Sequence, residues 1–249
     1  MIGAFVFDLD GTLVETEELK ALSYARAAAE LRPGLDEGKV VGAFKDLIGL
    51  SRQEVAVGLM RRFSLEQPAR ERMAEFEVGT PWQAYIQIRL RIYEELLADP
   101  NVVLAHRYPY NIALLRDVRR GGYLTALATQ SRREQARRVL GILGVADEFD
   151  VVVTRDDVEH GKPEPEMHLL AARELGVEPE ECLANEDSPA GVRAALAAGV
   201  EIDAVTTELT RQKFRDTELL DRSHVVDDPR TLPTVVRRLL KAHGQLTEG

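Results

Sequence analysis

The sequence predicts an α/β protein: a doubly wound parallel sheet with an inserted all-helical domain after its first strand. Three observations lead to this prediction. Short apolar segments alternate with amphipathic segments of helical length over much of the chain, one long segment near the N-terminus is amphipathic throughout, and polar residues follow the apolar segments. Strands separated by helices of about 10 to 15 residues indicate parallel crossover connections.

The first element is a strand. The segment IGAFVFD at residues 2–8 is apolar and ends in a carboxylate, and turn residues follow it in LDGT. From Glu15 to about Asp99, apolar residues recur at spacings of three and four, as in LKALSYARAAAEL and WQAYIQIRLRIYEELLA. We therefore expect a helical cap domain at 15–100, inserted over the edge of the sheet where ligands bind, and a core domain at 1–14 and 101–249.

After Pro100 the alternation of helix and strand resumes. The expected helices are NIALLRDVRRGG, RREQARRVLGILG, EMHLLAARELG and AGVRAALAAG, and the expected strands are YLTALAT, FDVVVT, CLANEDS and VEIDAVTT. Because open sheets of this kind bind ligands at the carboxyl ends of their strands, functional side chains are expected just after these apolar segments.

Composition excludes several classes of protein. The 249 residues are 45% apolar and 30% charged, with a net charge of -10, so a nucleic-acid partner is not expected. No segment approaches the roughly 20 apolar residues of a membrane span, and the N-terminus lacks a basic region or cleavage site. Cys182 is the one cysteine, which excludes an internal disulfide and fits a cytoplasmic protein. The sequence gives no basis for assigning an oligomeric state.

Polar residues that can carry chemistry follow four of the predicted strands or the loops beyond them. They are Asp8 and Asp10 in DLDGT, Thr129 in LATQS, Lys162 in GKPEP, and Glu186 with Asp187 in NEDS. The carboxyl ends of parallel strands converge on one edge of the sheet, so these side chains are expected to lie together. Several carboxylates at one place are unstable without a cation, and oxygen ligands suit Mg²⁺, which would also screen the charge of a phosphate.

These four motifs, in this order, resemble those of the haloacid dehalogenase superfamily: DLDGTL, the threonine of ATQS, the lysine of GKPEP, and EDSPAGVRAALAAG. The resemblance covers nearly all of the chain, because the helical insert between the first and second motifs corresponds to the family's type 1 cap. It implies a Rossmann-like catalytic core. Any one motif is weak evidence, whereas four in order with suitable spacing are specific.

The resemblance also implies roles. Asp8 would be the nucleophile that forms an aspartyl phosphate, Asp10 the general acid and base, and Thr129 and Lys162 would stabilise the transferring phosphoryl group. Mg²⁺ would be held by the Asp8 carboxylate, the Asp10 backbone carbonyl, Glu186 and Asp187. The remaining residues expected to contact substrate in the core are Gly11, Thr12 and Ser131.

Each of these residues also has a purely structural interpretation. Asp10, Gly11 and Thr12 could form only a turn and a helix cap, Thr129 could be an ordinary strand residue, and Lys162 could be a solvated loop lysine. Glu186 and Asp187 could simply cap the helix that follows them. Their joint occurrence favours the catalytic interpretation.

The presence of Asp10 favours phosphoryl transfer over dehalogenation or phosphonate hydrolysis, whose enzymes in this superfamily lack that aspartate. Within phosphoryl transfer, the segment LIGLSRQEV resembles the cap loop of β-phosphoglucomutase, and Arg52 matches its substrate arginine. Arg89 would be a second cationic cap residue, or else a solvated helix position. Lys20 stands where the mutase has a gating histidine; it would contact substrate or lie on the helix surface.

The sequence therefore predicts a Mg²⁺-dependent phosphatase that acts on a small phosphorylated metabolite. The replacement of the gating histidine by Lys20 makes hydrolysis easier than mutase chemistry, and a β-phosphoglucomutase-like phosphomutase is the alternative. A third alternative is a catalytically silent protein that binds a phosphorylated ligand, but such a protein would be expected to lose a motif residue. Phosphoglycolate, hexose phosphates and nucleotides all remain open as substrates.

Overall fold

The computed structural model describes residues 1–47, 50–208, 210–217 and 219–244. Its contacts divide the chain into two compact units. One comprises Met1–Glu15 and Val103–Gly249, and the other comprises Thr16–Val102. In the described part of the chain, no helix is both long enough and apolar enough to cross a membrane.

The second unit is entirely helical where it is described. Its helices are α1 (Thr16–Leu31), α2 (Glu37–Lys45), α3 (Arg52–Phe63), α4 (Glu66–Glu71) and α5 (Pro81–Ala98), and α6 (Pro100–Ala105) begins at its end. Apolar residues of α1 to α5 form its core, where the Tyr85 hydroxyl donates to the Tyr24 carbonyl at 2.8 Å. Ser51 begins α3 with a capping box completed by Glu54.

The first unit contains the sheet. Its strands are β1 (Ala4–Phe7), β2 (Leu124–Ala128), β3 (Val151–Val153), β4 (Cys182–Glu186), β5 (Glu201–Val205) and β6 (Val225–Val226). All neighbouring strands are parallel, in the order β3-β2-β1-β4-β5-β6. The predicted doubly wound parallel sheet is confirmed.

Helices cover the strands of this unit, which is why the strands are apolar on both faces. The helices are α7 (Pro109–Arg120), α8 (Arg133–Leu143), α9 (Glu166–Leu175), α10 (Pro189–Ala197), α11 (Arg211–Asp216) and α12 (Leu232–Ala242). All four residues of β1 are buried, and β1 lies between β2 and β4. The central position of β1 puts the residue after it, Asp8, in the middle of the carboxyl edge of the sheet.

Candidate active site

The loop after β1 places the first carboxylate. The Asp8 amide donates to the Asn185 carbonyl at 3.1 Å, so the ladder between β1 and β4 continues to Asp8 itself. The chain then turns sharply, since the amides of Leu13 and Val14 both donate to the Leu9 carbonyl. The Asp8 side chain is buried, with 7% of the residue's surface exposed.

Lys162 lies at the centre of the site. Its ammonium donates to Asp8 Oδ1 at 2.8 Å and to the Ala128 carbonyl at 2.7 Å, and lies 2.6 Å from Glu186 Oε1. Burial alone would lower the pKa of Lys162, but the Asp8 and Glu186 carboxylates outweigh it and the pKa is raised. Lys162 is therefore a buried cation, and the alternative of a solvated loop lysine is wrong.

Two further carboxylates meet Asp8 at the end of β4. Asp8, Glu186 and Asp187 are all buried, and each offers an oxygen atom within 4.8 Å of the others. Two glycines make room for these carboxylates: a Cβ on Gly11 would lie 2.2 Å from Asp187 Oδ2, and a Cβ on Gly191 would lie 1.9 Å from Glu186 Oε2. The side chain that caps α10 is instead that of Ser188, so the acidic pair is not needed there.

This cluster has the charge and the donor atoms of a divalent cation site. Burial raises the pKa of Asp8, and it raises the pKa of Glu186 to about 8, although Lys162 opposes both shifts. When all three carboxylates are ionised, they face one ammonium, which leaves two negative charges uncompensated among these residues. A divalent cation would neutralise them, and the donors are all oxygen atoms. The residues therefore fit such a cation.

Asp10 is held by the residues that follow β2. The Ser131 hydroxyl donates to Asp10 Oδ2 at 2.6 Å, and the Thr129 hydroxyl approaches the same oxygen at 3.4 Å. Gln135 donates to the Ser131 hydroxyl at 3.1 Å. Asp10 is half-buried, so its carboxylate is both fixed by hydrogen bonds and accessible to solvent. The hydroxyl of the buried Thr12 has no hydrogen-bond partner among the described residues.

Comparison with known proteins places the chain in a family. The sequence model of the haloacid dehalogenase-like hydrolase family matches residues 2–199. This chain belongs to the haloacid dehalogenase-like hydrolases. The predicted family is thus confirmed. The family generally uses a divalent metal, and the buried acidic cluster is where this hydrolase would hold one.

Its relatives include phosphatases. The hydrolase is 32% identical over 216 residues to hexitol phosphatase A of Escherichia coli, and this match covers 87% of this chain and 88% of the relative. It is 31% identical over 199 residues to the phosphorylated carbohydrates phosphatase of Thermotoga maritima, and this match covers 80% of this chain and 82% of the relative. The crystal structure of CbbY from Rhodobacter sphaeroides in complex with phosphate is similar, with a TM-score of 0.65 and 25% identity. The match covers 93% of this chain and 96% of the CbbY chain.

The three cap residues predicted to contact substrate lie in the helical unit of the hydrolase, in different surroundings. Arg52 is exposed at the start of α3 and lines a cleft with Trp82. Lys20 is half-buried and pairs with Glu17 one turn earlier, at 2.6 Å. Arg89 is 6% exposed, so the solvated helix position considered for it is wrong. Of the LIGLSRQEV segment, residues 48 and 49 lie outside the described residues.

Arg89 packs against aromatic rings. Its guanidinium carbon lies 4.4 Å from the centroid of the Tyr93 ring and 5.1 Å from that of Tyr24. Burial lowers the pKa of Arg89, and its Nε has no hydrogen-bond partner among the described residues. The two cation–π contacts therefore stabilise a guanidinium inside the helical unit. Its predicted role in binding substrate stays a prediction.

Sequence reasoning missed several residues beside the site. His168 in α9 is buried with its Nε2 atom 3.6 Å from Glu186 Oε1, and burial together with Lys162 lowers the pKa of His168 to about 3. The Asn185 amide of β4 donates a hydrogen bond to the Asp203 carboxylate of β5. A polar residue inside an apolar strand, as in VEIDAVTT, was the available signal for Asp203; in EMHLLAARELG nothing distinguishes the histidine from other helix residues.

Proposed function

We propose that this chain is a Mg²⁺-dependent phosphatase that hydrolyses the phosphate ester of a small metabolite through an aspartyl phosphate on Asp8. The observation that best supports the proposal is the contact of Lys162 with Asp8 inside a buried acidic cluster. A carboxylate oriented by a fixed ammonium is a suitable nucleophile for phosphorus, and the same ammonium balances the charge of the transferring group.

In the first step, an Asp8 oxygen attacks phosphorus and the bond from phosphorus to the ester oxygen breaks. Asp10 gives its proton to that leaving oxygen, so the alcohol departs uncharged. The Ser131 hydroxyl, 2.6 Å from Asp10 Oδ2, fixes the direction of the carboxyl group. Thr129 and Thr12 offer further hydroxyl donors to the phosphoryl oxygens.

In the second step, Asp10 is a carboxylate and takes a proton from water, whose oxygen attacks phosphorus. The bond from Asp8 to phosphorus breaks, which releases inorganic phosphate and regenerates the Asp8 carboxylate. One side chain serves as acid and then as base because the first step leaves it deprotonated. Its half-buried position gives the attacking water access to it.

The carboxylates of Asp8, Glu186 and Asp187, with the Asp10 carbonyl, would hold the metal. We propose Mg²⁺ because the donors are all oxygen atoms and a hard cation that keeps some of its water suits an open phosphate site. When bound, Mg²⁺ supplies positive charge that screens the substrate phosphate from the surrounding carboxylates. The cytoplasmic location and the bounds of core and cap given above stay predictions.

Sugar and polyol phosphates are the first substrates to test. Hexitol phosphatase A and the phosphorylated carbohydrates phosphatase are relatives that cover most of the chain. In the helical unit, a cleft of about 590 Å³ is lined by Arg52, Trp82, Gln83 and Gln87 together with apolar residues such as Ile86. Such groups suit a polyhydroxylated anion, since they combine charge, stacking and hydrogen bonding.

The test is phosphate release from a panel of hexitol, hexose, glycolate and nucleotide phosphates, with Mg²⁺ and with excess chelator. We expect metal-dependent release that Asp8→Asn abolishes. Asp147→Asn is the matched control, because Asp147 is an exposed aspartate of the same unit; it should leave the rate unchanged. Release that survives Asp8→Asn would contradict the proposal.

The phosphomutase alternative predicts a different product. A mutase given glucose 1-phosphate and a bisphosphate primer would form glucose 6-phosphate faster than it releases phosphate. We expect the opposite order of rates, because Lys20 stands where the mutase has the histidine that gates its catalytic acid, and the loss of that gate favours hydrolysis of the aspartyl phosphate. Isomerisation without net phosphate release would replace the phosphatase proposal with the mutase.

A further inference from the structure

His168 is a buried polar side chain that the proposed mechanism does not use. It lies in the first turn of α9 and is 1% exposed. Neither of its ring nitrogens has a hydrogen-bond partner among the described residues. A buried imidazole without a partner destabilises the fold, because its nitrogen atoms lose their hydrogen bonds to water and gain none in return. This cost calls for a compensating role.

The Glu186 carboxylate lies beside His168. His168 Nε2 lies 3.6 Å from Glu186 Oε1, which is slightly beyond hydrogen-bond distance. The same oxygen lies 2.6 Å from the Lys162 ammonium. Gly191 borders the other side of the carboxylate, where a Cβ would lie 1.9 Å from Oε2.

The neutral imidazole has the right chemistry for a carboxylate that holds a metal. Lys162 already divides its donors among Asp8, Glu186 and the Ala128 carbonyl. A further cation beside Glu186 would repel the metal, whereas a neutral N–H can orient the carboxylate without adding charge. Donors of this kind, behind the ligands, fix ligand orientation and strengthen metal binding.

We propose that His168 is a positioning residue for Glu186, which donates its Nε2–H to Oε1 when the carboxylate turns to hold the divalent cation and thereby sets the affinity of the site for metal. The proposal rests on the proposed function in taking Glu186 as a metal ligand. A purely structural histidine would affect folding and leave metal binding alone, so the two roles can be separated by experiment.

The experiment measures Mg²⁺ binding by calorimetry, and thermal unfolding with and without Mg²⁺, on chelator-treated protein with no substrate present. The variants are His168→Phe, which fills the space without a donor, and His168→Gln, which keeps an N–H. His160→Phe is the control, since His160 is exposed and pairs with Glu166 rather than with the acidic cluster.

We expect His168→Phe to weaken Mg²⁺ binding by roughly 10- to 100-fold, the range found for residues that support metal ligands. Without Mg²⁺, its melting temperature should equal or exceed that of the wild type, because a buried polar group without a partner has been removed. The rise in melting temperature on adding Mg²⁺ should shrink. His168→Gln should recover part of the affinity, and His160→Phe should behave as the wild type.

Three results would overturn the inference. Equal Mg²⁺ affinity for His168→Phe and the wild type would remove the positioning role and leave the phosphatase proposal intact. Parallel loss of metal-free stability and affinity, without rescue by His168→Gln, would assign His168 to packing alone. Absence of Mg²⁺ binding by the wild type would overturn both this inference and the metal site of the proposed function.

Discussion

At the scale of single residues, the acidic cluster depends on two positions that have no side chain. Gly11 adopts φ +83°, and both it and Gly191 lie where any Cβ would overlap a carboxylate of the cluster. The backbone conformation of Gly11 is itself costly for any other residue, by about 1–2 kcal/mol. The letters DLDGT therefore specify a turn, the proposed nucleophile and the space for Asp187.

A pair of alanine substitutions separates the effect of backbone strain from that of steric overlap with Asp187. Gly11 and Gly122 both have φ +83°, but nothing lies within 4 Å of a Cβ at Gly122. We expect both alanine variants to lower the melting temperature by a few degrees, as about 1 kcal/mol does in a chain of this size. Only Gly11→Ala should also displace Asp187 and weaken Mg²⁺ binding by at least about tenfold, measured by calorimetry.

Gly122→Ala is the control for backbone strain in that comparison. If Gly11→Ala and Gly122→Ala bound Mg²⁺ with the same affinity, Asp187 would not be a ligand, or the loop after β1 would adapt without cost. The first result would remove Asp187 from the metal site proposed here, and the second would overturn the claim that Gly11 is needed to make space for it.

Much of the site at this scale could be predicted from the letters. Asp8, Lys162, Glu186 and Asp187 follow predicted strands in motif order, and the structure brings them together. His168 could not be predicted, because its contact with Glu186 joins two elements whose packing only the folded chain defines.

At the scale of elements, β4 presents different chemistry on its two faces. Glu186 belongs to the acidic cluster, whereas Asn185 points to the opposite face, as alternation along a strand requires. There its amide accepts a hydrogen bond from Asn111 at 3.0 Å and donates to Asp203, its direct partner in the register of β4 and β5. All three residues are at most 1% exposed. They form a buried chain of hydrogen bonds on that face of the sheet.

The buried hydrogen bonds of Asn111, Asn185 and Asp203 predict how the stability of the protein changes with pH. Burial raises the pKa of Asp203 from 3.8 to about 7, so between these values the folded protein keeps a proton that the unfolded chain loses. The free energy of unfolding of the wild type should therefore fall as the pH rises through this range, and the loss is complete above the pKa of Asp203 in the folded protein. Asp203→Asn cannot ionise, so relative to the wild type it should gain stability from pH 4 to pH 8.

The gain should be on the order of a few kcal/mol, measured as the free energy of unfolding in urea at several pH values. The control is Asp216→Asn, which changes an exposed aspartate of α11. A difference between Asp203→Asn and the wild type that is the same at every pH would show that Asp203 is ionised in the folded protein throughout.

The elements themselves were predictable to different degrees. The apolar segments at β1 to β5 predicted strands because they are short and alternate with segments of helical length. The last strand, β6, is only Val225–Val226, and two valines carry no periodicity. It exists because β5 offers an edge for it to pair with, and this pairing is a tertiary effect.

At the scale of the whole molecule, the helical unit is an insertion whose two ends are joined within the sheet unit. The Glu15 amide donates to the His106 carbonyl at 2.7 Å, and the Tyr108 amide donates to the Leu13 carbonyl at 2.9 Å. The Tyr108 hydroxyl also donates to the Glu15 carboxylate. Because the chain leaves and returns at neighbouring points, an insertion there does not disturb the strands.

This arrangement predicts that the sheet unit folds without the helical one. Replacement of residues 16–102 by a short Gly–Ser linker should give a chain that unfolds cooperatively and binds Mg²⁺ with an affinity near that of the whole protein. The reason is that β1, β4 and Lys162 all belong to the sheet unit. Circular dichroism and calorimetry are the measurements. A non-cooperative transition would show that the sheet unit needs the helical one to fold.

The parallel sheet was predictable at this scale, since helices of the right length separate its strands. Its strand order was not, because β1 pairs with β2 across an insertion and with β4 across more than half of the chain. Nothing local to the segment AFVF specifies those partners; the burial of both of its faces does so in the folded protein.

The covalent intermediate on Asp8 is the central claim, and trapping it is the most direct test. Asp10→Asn should slow the attack of water on the aspartyl phosphate, and p-nitrophenyl phosphate has a leaving group that needs no proton from Asp10. Rapid acid quenching of this variant with labelled substrate should give protein that carries label on the peptide containing Asp8. Neutral hydroxylamine should release the label, and Asp8→Asn should abolish it. Phosphate release without any labelled protein, or a label on a different residue, would contradict the account.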